Sequence, residues 1–178
     1  MKKNTLFLVH AAAIAALYTV LTLLANAFGL ANYAIQVRFS EALTVLPWFT
    51  PAAIPGLFAG CLLSNLLTGA LPQDVIFGSL ATLLGAVGTW LLGKAAAKIP
   101  AEKRMPWKFL APVPPIVANI LIIPPILAFV YRFEGTIPYF MLTVGLGEII
   151  SCGILGMILF FSLEKRPGII SPDRDMHK

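Results

Sequence analysis

Residues 41–68 read Glu41-Ala-Leu-Thr44-Val-Leu-Pro47-Trp48-Phe-Thr-Pro51-Ala-Ala-Ile-Pro55-Gly-Leu-Phe-Ala-Gly60-Cys61-Leu-Leu-Ser-Asn65-Leu-Leu-Thr68. The stretch is almost wholly apolar, too long for one upright membrane helix and barely long enough for two. Proline removes a backbone donor and clashes with the preceding turn, so Pro47, Pro51 and Pro55 predict a break between Trp48 and Pro51. Read as two segments, 40–49 and 52–68, it gives the chain six membrane helices; read as one, it gives five.

Outward from this stretch, further apolar runs cover residues 5–28, 74–96, 109–131 and 137–163. Each has the ~20 residues that a helix needs to cross ~30 Å of hydrocarbon. The composition agrees: 58% hydrophobic and 12% charged, against about 45–50% and ~25% in soluble domains. No soluble fold of 178 residues hides that much apolar surface. The expectation is an all-α membrane protein, one integral domain over residues 1–178 with six transmembrane helices. The longest loop, 98–108, is too short for a soluble domain, and no internal repeat is strong enough to mark an inverted-repeat transporter.

Charge bears on the helix count. Six spans with both termini inside place eleven basic residues in the cytoplasm (Lys2, Lys3, Lys94, Lys98, Lys103, Arg104, Lys108, Lys165, Arg166, Arg174, Lys178) and two outside, Arg38 and Arg132. Five spans with the N-terminus outside give ten against three, so the positive-inside rule alone does not decide. The Lys2-Lys3 pair directly before the first span favours an inside N-terminus, and with the prolines it favours six. The protein is thus expected in the cell membrane with both termini cytoplasmic and the tail 168–178 a disordered cytoplasmic extension. Ala25-Asn26-Ala27 resembles a signal-peptidase site, but the run before it exceeds the ~7–15 residues of a signal h-region. It reads as a retained first span.

The net charge of +5 does not mark a nucleic-acid binder, because the basic residues lie at the ends of apolar runs and not on an aromatic-interleaved stripe. Cys61 and Cys152 lie inside apolar runs and read as inert buried thiols. His10 and His177 are far apart and no metal-ligand spacing occurs, so neither metal nor cofactor is expected. Gly88-Thr-Trp-Leu-Leu-Gly93-Lys94-Ala95 nearly spells a nucleotide-binding loop, but it lacks the Ser or Thr that would hold magnesium and sits in an apolar helix. ATP-driven work would need a partner.

Ionisable groups in or beside apolar spans cost ~2.5–3.5 kcal/mol each on insertion scales. Arg38 and Glu41 open the second span on the outer side, Asp74 opens the fourth on the same side, and Glu148 lies about 16 Å into the sixth. Three carboxylates and one guanidinium thus border a space open outward, a cup for a cation or a ligand rich in N–H donors. The plainer alternatives are an Arg38–Glu41 pair at i, i+3 and an N-cap role for Asp74. Glu148, in Thr143-Val-Gly-Leu-Gly147-Glu148-Ile-Ile-Ser151 with no basic neighbour in sequence, is the hardest to read as structural. Tyr33, Gln36, Asn65, Gln73, Asn119, Tyr131 and Tyr139 are candidates to complete the cup, or interhelical glue and interface aromatics. Small-residue faces, Ala11, Ala12, Ala15 and Ala16 on the first span and Gly56, Gly60 and Ser64 on the third, allow close helix packing within the chain or with a partner.

Ile35-Gln36-Val37-Arg38-Phe39-Ser40-Glu41-Ala42-Leu43, Pro55-Gly56-Leu57-Phe58-Ala59-Gly60-Cys61 and Asp74-Val75-Ile76-Phe77-Gly78-Ser79-Leu80-Ala81-Thr82-Leu83 resemble the QueT family of queuosine-precursor transporters. That family belongs to the substrate-binding S components of energy-coupling factor (ECF) importers, which are small six-helix membrane proteins. The resemblance implies an S-component-like bundle without catalysis of its own. It would capture a deazaguanine such as pre-queuosine outside, then topple within a complex of a transmembrane T component and two cytoplasmic ATPases. It also implies that Ala11, Ala12, Ala15 and Ala16 face the T component, while the cup residues Arg38, Glu41, Asp74, Glu148, Asn119, Gln73 and Tyr33 are the candidates to serve the ligand. A guanine-type edge offers adjacent N–H donors to a carboxylate, and an aminomethyl group adds a cation for another. Other vitamin-like ligands, a membrane enzyme using the carboxylates as acid and base, and a solitary proton-coupled transporter with Glu148 as carrier remain alternatives.

Overall fold

The computed structural model describes residues 3–30 and 37–166, and among them every regular element is helical. In chain order these are α1 (Lys3–Ala27), a 3-10 helix (Phe39–Trp48), α2 (Ala53–Leu67), α3 (Pro72–Ala97), a 3-10 turn (Ala101–Lys103), α4 (Met105–Phe109), α5 (Val113–Phe129), α6 (Ile137–Glu148), a π-helical stretch (Ile149–Leu155) and α7 (Gly156–Glu164). Four helical segments are long and apolar enough to cross a membrane: Asn4–Ala27, Pro72–Ala97, Met105–Phe129 and Ile137–Glu164. At 15 residues α2 is shorter, about 22 Å at 1.5 Å per residue.

The second expected span departs from the α-helix altogether. Phe39–Trp48 is a 10-residue 3-10 helix containing Pro47, and at ~2.0 Å per residue it covers only ~20 Å. It begins deep inside the bundle. Glu41 accepts a hydrogen bond from Tyr18, nine residues before the end of α1, which is about 14 Å below that end. Ser40 meets Thr22 (2.8 Å) and the Arg38 amide donates to Ser151 (3.1 Å), fourteen residues past the start of α6. Arg38 and Glu41 are therefore sunk inside the bundle, where the sequence had suggested the mouth of a span. From there the 3-10 helix runs to the opposite end, where Trp48 packs on Gly93 of α3 and on Phe160 of α7. It contacts α1, α2, α3, α7 and the π-helical stretch, and forms the middle of the bundle.

Around it the other helices follow chain order, α1 on α2, α2 on α3, α3 on α5, α5 on α6. Two seams are tight enough to need glycine. An added Cβ on Gly56 would lie 2.7 Å from the Ala11 carbonyl, and one on Gly60 2.7 Å from Tyr18 Cβ and 2.9 Å from the Ala15 carbonyl. The Ala11/Ala15 face is thus spent on α2, while Ala12 and Ala16 point outward. On the far side, Gly85 and Gly88 of α3 meet Pro115 and Pro114 of α5, each with a would-be Cβ at 2.6 Å. The near nucleotide-loop motif therefore supplies a packing surface inside a helix. Gly85→Ala is expected to cost about 1–3 kcal/mol, because the nearest atoms are Pro115 backbone that cannot rotate away. Thermal unfolding in detergent tests this, and an unchanged midpoint would mean that the seam opens freely.

The fifth expected span, 109–131, starts earlier and is not continuous: α4 and α5 are separated at Leu110–Pro112, and α5 ends at Phe129. One end of the bundle is basic. There Lys94 lies over the Trp90 ring (4.4 Å), Lys108 pairs with Glu164 (2.6 Å), and Arg104 donates to the Ala97 carbonyl that α3 leaves open and to the Ile99 carbonyl beyond the helix end. The end of α1, the start of α3 and the start of α6 lie at the other end.

Candidate functional site

The two irregular segments make the site. In a 3-10 helix residues three apart eclipse one another, so Glu41 and Thr44 stand in one row, with Arg38 just before the helix, and the π-helical stretch of the last transmembrane segment packs on this helix. π-Helical turns are rare and concentrate at functional sites. Here the widened turn follows Glu148 directly and carries Ser151 and Cys152, both buried, toward that row.

Glu41 is 2% exposed. Its Oε1 accepts from the Tyr18 hydroxyl, and its Oε2 has no hydrogen-bond partner among the described residues. The Thr44 hydroxyl donates to the Glu41 carbonyl (2.6 Å) and lies 3.3 Å from Cys152 Sγ. The Cys152 thiol sits between Glu148 Oε2 (3.0 Å) and the Glu41 carbonyl (3.4 Å). Side-chain ligand atoms of Glu41, Glu148 and Cys152 all lie within 4.8 Å of one another, a donor set that no spacing in the sequence announces. Asn119 on α5 is 5% exposed and near enough for its amide to act on the Glu148 carboxyl, yet its Nδ2 makes no hydrogen bond among the described residues. The Arg38 charge acts on Glu41, Glu148 and Asp74 together.

A second group lies at the start of α3. Asp74 Oδ2 accepts from the Tyr131 hydroxyl (3.0 Å), whose oxygen accepts from the Leu71 amide (3.4 Å). Leu71 is the N-cap of α3 and no side chain caps it, so the Asp74 carboxylate is committed to Tyr131 and not to its own helix end. Asn65 approaches from α2: a Cβ on Gly78 would lie 3.2 Å from Asn65 Nδ2 and 3.6 Å from Asp74 Oδ1. Arg38 is near enough for its charge to act on Asp74 as well as on Glu41 and Glu148.

Of the residues singled out in the sequence, the structure gathers Arg38, Glu41, Glu148 and Asn119 at one centre and puts Asp74, Asn65 and Tyr131 beside it. Gln73 is exposed on the first turn of α3 and Tyr139 on the first turn of α6. Tyr33 and Gln36 lie outside the described residues. Tyr18, Thr44, Ser151 and Cys152 join the centre without having been singled out for it. Tyr18, 1% exposed in the middle of an apolar span, carried a usable signal, because a phenol there needs a partner.

Long apolar helices around a buried polar centre define a multi-pass membrane protein with its chemistry held inside the bundle. Residues 8–165 match the family described as the QueT transporter. The match covers nearly all of the chain, and the protein belongs to that family, which is one of transporters and not of enzymes. No curated protein and no solved structure matches it.

Proposed function

We propose that the protein is the substrate-capturing S component of an ECF importer and takes a deazaguanine precursor of queuosine at the outer face of the cell membrane. The observation that carries this reading is the centre itself: two buried carboxyl groups within 4.8 Å, one with an oxygen unpaired among the described residues, in a family of transporters. An acceptor buried without a partner costs about 1–3 kcal/mol. A guanine-type edge, with adjacent N–H donors, offsets that cost when it binds. Asp74 and Tyr131, nearer the end of the bundle, would meet an aminomethyl cation. In this reading the basic end is cytoplasmic by the positive-inside rule, both termini lie inside, and the six helical segments act as six passes.

The energy would come from a T component and two ATPases, and the T component would contact the outward Ala12/Ala16 side of α1. Ala16→Trp is accordingly expected to leave ligand affinity unchanged while abolishing uptake in cells that supply the partners. Loss of affinity in this variant would place Ala16 in the ligand site and not at a partner surface. Equilibrium binding of an aminomethyl-deazaguanine to the purified protein in detergent, with guanine and riboflavin as controls, tests the function directly. Selective binding is expected, and a folded sample that binds none of them would return the protein to an unassigned ligand. Uptake by this chain alone under a pH gradient would instead favour a proton-coupled carrier.

A further inference from the structure

Two polar atoms at the centre are buried without a hydrogen-bond partner among the described residues, and they are of opposite kind: the Glu41 Oε2 acceptor and the Asn119 Nδ2 donor. Their side chains are 2% and 5% exposed, and both stand near the Glu148 carboxyl. Buried polar atoms are seldom left unpaired in a folded protein. One acceptor with one donor beside a second carboxyl is the complement of a ligand edge that carries N–H donors next to a carbonyl.

A divalent cation would use the acceptors but not the donor. Two further features oppose it: Cys152 lies at hydrogen-bond distance from Glu148 as a thiol donor, and the Arg38 charge acts on both carboxyls.

We propose that Asn119 is a specificity-determining residue whose Nδ2 donates to a ring carbonyl of the ligand, while Glu41 and Glu148 accept from the N–H groups beside that carbonyl. The site then takes a lactam edge and refuses the same ring carrying an amino group in place of the oxygen. With that exchange an N–H₂ faces the Asn119 N–H₂, and an unprotonated ring nitrogen faces a carboxyl oxygen, so two attractive contacts become two repulsive ones. Sites built to hydrogen-bond a ligand group discriminate strongly, because a mismatch leaves buried groups unpaired on both sides. This inference rests on the deazaguanine reading above and adds to it which atom distinguishes the oxo from the amino ring.

The test measures binding of 7-deazaguanine and of 2,6-diamino-7-deazapurine to the full chain in detergent. The wild type is expected to prefer the oxo ring by at least about tenfold. Asn119→Asp, which keeps the shape and replaces the donor by an acceptor, is expected to lower that ratio by about tenfold or more. Asn119→Ala removes the donor without adding a charge and is expected to lower the ratio without abolishing it, since the carboxyl contact with the ring N–H remains, which keeps the test open should the aspartate variant fold poorly. Both rings binding with a ratio that neither variant moves would overturn the role of Asn119 and leave the deazaguanine reading intact. A folded wild type that binds neither ring would overturn the deazaguanine reading itself.

Discussion

Glu41→Gln is expected to weaken ligand binding by roughly 100-fold or more while leaving the protein folded. The two halves of this expectation come from the two oxygens of one side chain. Oε1 accepts from Tyr18, and a glutamine carbonyl oxygen in the same place keeps that bond. Oε2 has no partner among the described residues, and the substitution puts an N–H₂ donor there, facing the donors that the ligand would bring. Truncating one member of a buried charged hydrogen-bond pair costs about 2–5 kcal/mol, and each 1.4 kcal/mol is a tenfold change in affinity. Stability is expected to hold or to rise slightly, since removing a buried charge relieves desolvation. Calorimetric binding together with a melting curve reads both quantities. Unchanged affinity would remove Glu41 from the site, and a collapsed melting curve would mean that Oε2 holds the fold together. Asp74→Asn, at the end of the bundle and already paired with Tyr131, is expected to cost less.

The segments that cross lipid were legible because lipid imposes one rule, about twenty apolar residues in a row. Residues 5–28, 74–96 and 137–163 fall within about two residues of Lys3–Ala27, Pro72–Ala97 and Ile137–Glu164. The prolines of 47–55 rightly announced a break, and Phe49 to Ala52 lies between two helices. What they did not announce is the kind of helix before the break. A 3-10 stretch of ten residues is uncommon, and this one is buried against α1, α3, α7 and the π-helical turn, contacts that no local pattern encodes. Its depth was likewise hidden, because hydropathy gives the length of an apolar run but not the level at which the chain re-enters the bundle.

The site was legible through cost. Glu41 and Glu148 stand out because a carboxyl in an apolar run demands a reason, and the structure brings them together from positions 107 residues apart. Thr44, Ser151 and Cys152 did not stand out, since small polar groups are common in membrane helices and usually bond to their own backbone. The register of a π-helical turn, which turns Cys152 onto Glu148, has no such signature. The four alanines of α1 were read as one surface, and only the packing of α2 divides them into an inward pair and an outward pair.

That division leads to the largest expected effect on the fold. Gly60→Leu is expected to destabilise the protein by about 3 kcal/mol or more and to abolish binding with it. A Cβ on Gly60 would stand 2.7 Å from Tyr18 Cβ, 2.9 Å from the Ala15 carbonyl and 3.1 Å from Ala15 Cα. Backbone makes up two of these three contacts, so the strain cannot be relieved by a rotamer change and α1 must move away from α2. Thr19, which donates to both the Ala15 and Gly60 carbonyls (2.9 and 3.3 Å), would lose the second contact. Tyr18 would then be carried off Glu41, leaving the second carboxyl oxygen unpaired as well as the first. Tyr18→Phe separates the two consequences, because it removes the hydroxyl and keeps the seam: it should cost about 1–3 kcal/mol for the acceptor left unpaired. If Gly60→Leu melts like the wild type, α1 slides on α2 and the close approach is not what sets the position of Tyr18. If it melts far below Tyr18→Phe, the glycine seam holds the site from one side as the Gly85–Pro115 contact holds α3 to α5 on the other.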